Sequence, residues 1–461
     1  MNILNLIFLL KIQRKIRKRN YGMDKKVKQM KGINEFNGEY SNKEDFQLKI
    51  GGSQILETNT SLSDMDILCI LPKYINIYDF NGEDGIYGLY GRLLLNKEIN
   101  VNIVQTSRIL MIELKIDGID VDLIYAQIPF KNVTNNFDIM NNEVIEENKN
   151  KQSILALAGF RSTIKIKEMN LNQKLFISLM RFLKIWAKNR LIYSNIAGYL
   201  SGSSLAIMSA KICIIYPNAS LPIAIKQFFI FYKLWGWPQP ILLNELENEF
   251  KKAKEIVEPW KWINKEDNSE FENDFETDSN DELEEEKEGN DGTQMSIITS
   301  GVPEQNTTFN VNKFTFKRII KEIERANEII NKTNNEQESI WEELIEELNW
   351  ENNYEYFILI LCKVNENVNC NKQKVLLQSQ LITNYEKNVE CFDKNSKRES
   401  SKTFCKLWII GVNLNSSKKI NDNQIEQLLT FDNIFKNYLT KSGSVYSIFT
   451  NNKIDLNKEK Y

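Results

Sequence analysis

An α/β domain, then a mostly helical region, then an α+β domain is the fold class this sequence predicts, and three observations predict it. Residues 50–128 alternate short apolar runs with polar loops. Residues 153–250 repeat apolar side chains at helical spacing. From Tyr354 onward, β-branched and aromatic runs are separated by polar stretches. The chain of 461 residues is long enough for about two to four domains, and no internal repeat is visible.

The first segment, MNILNLIFLLKIQRKIRKRN, reads as a short amphipathic helix with a basic end. A signal peptide is disfavoured: the charge follows the apolar run, no small-residue cleavage site appears, and the apolar part is too short to span a bilayer. The cluster Arg14, Lys15, Arg17, Lys18 and Arg19 suits a nuclear import signal or an RNA-facing patch, and equally a solvated helix end. No later stretch is long and apolar enough for a transmembrane helix, so a soluble protein is expected.

Strands are expected at DILCILP, ILMIELKI and IDVDLIYA. In LNQKLFISLMRFLKIWAKNRLIY, the residues Leu175, Leu179, Phe182, Leu183 and Trp186 form one helical stripe. Residues 313–348 are helical again, with Trp341 and Leu344 as core candidates, and YEYFILILCKV and FCKLWIIGVNL are strands. Between the helical stretches, 266–291 carries 14 acidic residues and one lysine, the pattern of a self-repelling, disordered insertion. A net charge of −3 for the chain and −13 for this run leaves the other 435 residues at +10. That mildly basic body suits a polyanionic partner.

Histidine is absent. Its absence excludes Ser-His-Asp and Cys-His relays, a histidine general base and any His-liganded zinc. Catalysis would need carboxylates, lysine, tyrosine, hydroxyls or thiols, or a metal in place of the base. The six cysteines form no C-x-x-C pair, which disfavours a metal knuckle, and they read as reduced thiols.

The chemistry is concentrated in KIGGSQILETNTSLSDMDILCILP. Gly51, Gly52 and Ser53 form a turn that can aim N–H groups and a hydroxyl at phosphate oxygens. Asp64 and Asp66 open a strand, and residues two apart on a strand face one side. Two carboxylates without imidazole or thiolate suit magnesium rather than zinc. Asp122, on the later strand in GIDVDLIYA, is a candidate third carboxylate, while Asp120 reads as a bystander. A D-x-D pair at a strand end is more often a turn cap or a solvated pair, but the upstream Gly-Gly-Ser makes the combination much rarer than either part.

A Gly-Ser turn, a short spacer, D-x-D and a third strand aspartate resemble the nucleotidyltransferase superfamily related to DNA polymerase beta. Further segments, in order over about 48–320, resemble the eukaryotic nuclear poly(A) polymerases: DGIDVDLIYA, LKIWAKNRLIYSNIAGYLSG, KICIIYPNA, FYKLWGWPQPILL and MSIITSGVPEQNTTFNV. More faintly, WEELIEELNWENNYEYFILIL and CKLWIIGVNL resemble that family's C-terminal RNA-binding domain. The resemblance implies a basic N-terminal tail (1–35), a nucleotidyltransferase domain with a palm-like mixed sheet (36–152), a helical central domain (153–312) and an RRM-like C-terminal domain (313–461).

It also implies roles by position. Asp64, Asp66 and Asp122 would bind two Mg2+ ions, with Mn2+ as a possible substitute, and Gly51, Gly52 and Ser53 would meet the ATP triphosphate, flanked by Ser63 and Met65. Lys184 and Tyr193 would also hold the triphosphate, and Asn195 would lie near the sugar or phosphates. Gly202, Ser203 and Thr299 would border the adenine, in a cleft between the first and central domains. From the residues alone, Lys184 and Tyr193 equally suit half-buried helix positions beside Trp186.

Three departures from the family pattern bear on base choice more than on the metals. Gly51 stands where the family usually has Phe, Ala158 replaces the Asn of Leu-Asn-Gly-x-Arg, and Ser203 replaces an apolar residue. The implied activity is template-independent addition of AMP from ATP to the 3′ end of an mRNA precursor, by a nuclear monomer working with cleavage and polyadenylation factors and no membrane. Its rivals are a terminal uridylyltransferase and a catalytically weak RNA-binding scaffold of the same fold.

Overall fold

The computed structural model describes residues 46–348, apart from 61–62, 83–87, 96–98, 117, 135, 248, 262–293 and 333–336, together with four strands between 356 and 450. The N-terminal basic segment and the acidic run 266–291 lie outside the described residues.

β1 (Gln47–Ile50), β2 (Met65–Leu71), β3 (Asn100–Gln105), β4 (Leu110–Ile116) and β5 (Ile119–Gln127) form one five-stranded mixed sheet in the order β1-β2-β5-β4-β3. The three strands expected between 50 and 128 are β2, β4 and β5, to which β1 and β3 are added. β2 and β5 run parallel, and the other neighbours are antiparallel. β4 and β5 form a hairpin in which Ile116 faces Ile119, and Gly118 takes the left-handed φ of +79° that the tight connection needs.

β2 reads as an unbroken apolar run because both of its faces are covered. Ile67, Cys69 and Leu71 join Ile112, Leu114, Leu123 and Tyr125 in one core. Leu68 and Ile70 join Ala126, Ile154, Leu157 and Phe160 in the other. The last three belong to α1 (Lys151–Met169), whose start is capped by the Asn150 side chain accepting from Ser153 N–H at 2.8 Å. Each fully buried Leu or Ile in these layers contributes about 1.5–3 kcal/mol.

The chain divides into two compact units. The first comprises Met1–Ile177, Leu242–Lys261 and Thr299–Gln305. Its returning segment packs on α1: Ser300 N–H donates to Ser162 Oγ at 3.1 Å, and a Cβ on Gly301 would stand 2.0 Å from the Ala158 carbonyl oxygen, so only glycine fits.

The second unit holds most of α2 (Gln173–Asn189), then α3 (Gly202–Ile215), α4 (Leu221–Leu234), α5 (Lys313–Ile330) and α6 (Gln337–Ile345). Most of the helical stripe seen in the sequence is its core: Leu179, Leu183 and Trp186 are buried, as is Leu175 at the start of α2, and the Trp186 indole meets Phe229 and Phe228 edge-on at 5.0 and 6.4 Å. Leu344 is fully buried, whereas Trp341 is half-buried and packs edge-on to Phe182. A buried ion cluster joins α2 to α5, with the Glu322 carboxylate taking Arg190 at 2.7 Å and Arg318 at 2.8 Å. The helical stretch ends earlier than 250: α4 stops at Leu234, and the WGWPQP that follows places two prolines where a helix would have to continue.

β6 (Tyr356–Val364), β7 (Thr383–Cys391), β8 (Thr403–Val412) and β9 (Gly443–Thr450) form an antiparallel sheet in the order β7-β8-β6-β9. β6 and β8 are the two strands expected from their apolar runs. No helix of the described residues is long and apolar enough to cross a membrane.

Candidate active site

Pairing registers place a line of residues across the whole first sheet. Gly51 N–H, at the end of β1, donates to the Asp66 carbonyl at 2.8 Å. Asp66 stands opposite Asp122, Asp122 opposite Glu113, and Glu113 opposite Asn102. The neighbours of Asp66 and Asp122 that point the other way, Ile67, Val121 and Leu123, are buried in one core, so both carboxylates face the side covered by α1. Asp64 sits just ahead of β2 and is exposed, and Asp66, Asp122 and Glu113 are half-buried.

The electrostatics follow from this crowding. Burial, then the charges of Asp66, Asp64, Glu113 and Asp120, push the Asp122 carboxyl up to about 7. Asp120 is exposed and joined to the facing Lys115 at 3.0 Å, which fits its reading as a bystander. Among the described residues, no three acidic or thiol side chains already stand close enough to enclose a metal ion. Like charges repel, so carboxylates in one neighbourhood have no reason to converge without a cation between them. The oxygen-only donor set at Asp64, Asp66 and Asp122 fits a hard divalent cation.

Gly52–Ile55 form a single helical turn directly after β1. Its N-cap residue, Gly51, has no side chain to cap the turn, and the Gln54 N–H donates to the Gly51 carbonyl at 3.3 Å. Gly52 has φ +53°, and a Cβ there would lie 1.8 Å from Asp66 Oδ2. A Cβ on Gly51 would lie 3.3 Å from the Phe160 ring, which occupies the space left by the missing side chain. The Ser53 carbonyl accepts from Thr58 N–H at 3.0 Å. Ser63 Oγ accepts from Thr60 N–H at 2.9 Å, and the Met65 side chain is buried in the opposite core, leaving only its backbone beside the two aspartates.

The remaining candidates are divided between the units. Thr299 belongs to the first, where its N–H donates to the Gln305 carbonyl and its Oγ1 accepts from Gln305 N–H, both at 3.0 Å. Lys184, Tyr193, Asn195, Gly202 and Ser203 belong to the second. Lys184 is buried at 8% exposure on α2. Tyr193 bridges to Leu200, its ring lies 5.5 Å from the Lys188 ammonium, and a Cβ on Gly202 would come within 3.1 Å of its hydroxyl. Gly202 and the exposed Ser203 therefore open α3 beside Tyr193, behind the Ser201–Ser204 capping box. The Asn195 carbonyl accepts from Asn310 Nδ2 at 3.1 Å.

Glu113 and Asn102 carry no motif of their own in the sequence. The signal was the Asp117-Gly118 pair: counted outward from a two-residue hairpin loop, Glu113 falls opposite Asp122.

The family of the chain follows from comparison with known proteins. A model of the poly(A) polymerase nucleotidyltransferase domain matches residues 16–169, and one of the poly(A) polymerase central domain matches 175–347. A poly(A) polymerase of Dictyostelium discoideum is 31% identical over 68% of this chain and 34% of its own length. Nuclear poly(A) polymerase 2 of Arabidopsis thaliana is 31% identical over 43% of this chain and 24% of its own. Nuclear poly(A) polymerase 1 of the same plant is 27% identical over 66% and 38%. The chain thus spans between about a quarter and two fifths of the length of these relatives. Among solved structures, a Cid1 poly(U) polymerase aligns at 15% identity and a TM-score of 0.43, over 73% of this chain and 94% of that one. With a nucleotidyltransferase mixed sheet followed by a helical central region, the chain belongs to the poly(A) polymerase family.

Proposed function

We propose that the chain adds AMP from ATP to RNA 3′ ends without a template, releasing pyrophosphate. The observation that carries this reading is the register of Asp66 against Asp122, with Asp64 two residues before Asp66. Asp64, Asp66 and Asp122 would hold two divalent cations, Mg2+ or Mn2+, as a purely oxygen ligand set. Bound there, the metals would acidify the RNA 3′-hydroxyl and neutralise charge on the phosphates.

The 3′-hydroxyl attacks the α-phosphorus in line, a new phosphodiester forms, and the bond to the β-phosphate breaks. Gly51, Gly52 and Ser53 would present N–H groups and a hydroxyl to the triphosphate, and Lys184 and Tyr193 would add a point charge and a hydroxyl donor. Asn195 would steady the sugar or phosphates, with Gly202, Ser203 and Thr299 bordering the base. Fixed donors aimed at the departing pyrophosphate supply most of the rate, as in other phosphoryl transfers.

The four-stranded antiparallel sheet of β6–β9 supports an RRM-like role for the C-terminal domain, contacting RNA through its backbone in a salt-sensitive way. The reading keeps the boundaries 36–152, 153–312 and 313–461 for the catalytic, central and RNA-binding domains. It places the protein in the nucleus as a monomer, acting on mRNA precursors with cleavage and polyadenylation factors. The test is extension of an RNA primer with each of the four nucleotides offered separately. ATP should be used best; a preference for UTP would move the chain to the uridylyltransferases, and no extension would favour a scaffold.

A further inference from the structure

Asp122 has an acidic residue on each side of it in the sheet, Asp66 on β2 and Glu113 on β4. Directly opposed side chains on antiparallel strands have Cβ atoms roughly 4.5–5.5 Å apart, and like charges at that spacing are destabilising. The next same-face pair of this hairpin shows the ordinary solution, Lys115 opposite Asp120 at 3.0 Å. One step further into the sheet, the cation is missing and a carboxylate stands in its place. That carboxylate is also held: Asn102 Nδ2, on β3, donates to Glu113 Oε2 at 2.7 Å. A hydrogen bond of that length holds the carboxyl group in place rather than letting it swing out to water.

We propose that Glu113, held by Asn102, is a positioning residue of the cation site: acting through Asp122, its charge raises the affinity of the three aspartates for a divalent metal. The inference rests on the metal-binding reading of Asp64, Asp66 and Asp122. The cost of opposing two carboxylates is incurred in the metal-free protein and is offset when a divalent ion neutralises the cluster. Groups that support metal ligands typically change affinity by about 10- to 100-fold when altered.

The test uses the full chain and Mn2+ alone, without nucleotide or RNA, following the free Mn2+ signal by electron paramagnetic resonance. Glu113→Gln keeps an oxygen for Asn102 and removes only the charge. It should weaken Mn2+ binding about tenfold and raise the melting temperature of the metal-free protein, because a like-charge pair is gone. Glu113→Asp, which keeps the charge, should retain more of the affinity than Gln does. Asn102→Ala, which frees the carboxylate, should fall between Gln and the unmodified protein.

Glu113→Gln binding Mn2+ as tightly as the unmodified protein would overturn the inference and leave the aspartate assignment intact. If Asp66→Asn and Asp122→Asn also bind Mn2+ unchanged, the cation is not held by these aspartates and both readings fall. Failure of primer extension alongside the expected Mn2+ pattern would remove the polymerase reading and leave the role of Glu113 standing.

Discussion

The carboxylate of Asp66 and the backbone of Gly52 occupy one shared space: a Cβ on Gly52 would sit 1.8 Å from Asp66 Oδ2, at a φ of +53° that L side chains rarely adopt. The turn proposed for phosphates and the aspartate proposed for metal are therefore shaped by each other.

Gly52→Ala must displace Asp66 or reshape the turn. We expect a stability cost of about 1–3 kcal/mol and a loss of activity of about 100-fold, the usual effect of a 1 Å misplacement. Gly51→Ala is the control. It has ordinary extended backbone, with φ −117°, and its added Cβ would press on the Phe160 ring at 3.3 Å rather than on the carboxylate. Steady-state extension rates and urea unfolding of the two variants check this ordering, and equal losses would count against it.

The absence of histidine makes the pH dependence of stability easy to interpret. Apart from a chain terminus, no side chain has an ordinary pKa between 5 and 8. The Asp122 carboxyl lies at about 7 in the folded protein, against about 3.9 when unfolded. Between those values the folded state binds the extra proton, so metal-free stability falls as pH rises from about 4 to about 7 and then levels. The whole change is on the order of 4 kcal/mol, of which about 3 kcal/mol falls between pH 5 and pH 8. Urea unfolding of the metal-free chain at pH 5 and pH 8 measures it; Asp122→Asn should flatten the slope.

Glu322 is the only carboxylate within salt-bridge reach of both Arg190 and Arg318 among the described residues, at 2.7 and 2.8 Å, with Arg325 at 4.0 Å. Removing it leaves three guanidinium groups packed together. Glu322→Gln should cost about 3–5 kcal/mol, read as a lower midpoint in chemical unfolding. A cost under about 1 kcal/mol would mean the cluster behaves like an exposed pair.

What could be read from the sequence was local. Period 3.6 marked Leu175, Leu179, Leu183 and Trp186 as a stripe that is buried, whereas the strand expected to open at Asp64 begins one residue later, at Met65. The opposition of Asp66 and Asp122 is different in kind. It depends on β2 pairing in parallel with β5 while β3 and β4 lie beyond, and only tertiary folding sets that arrangement. β7 escaped notice because TNYEKNVEC is too polar to show a strand pattern. The register of Glu113 can be counted from Asp117-Gly118, but a lone Glu in an apolar run does not stand out until the strand facing it is known.

If Asp66 holds a catalytic metal, its carboxylate is indispensable to the reaction. The most direct measurement is extension of an RNA primer with ATP and Mg2+ by Asp66→Asn, in a preparation whose melting curve shows it folded. Activity should fall by about 1,000-fold or more. Extension within about tenfold of the unmodified protein would contradict that role for Asp66.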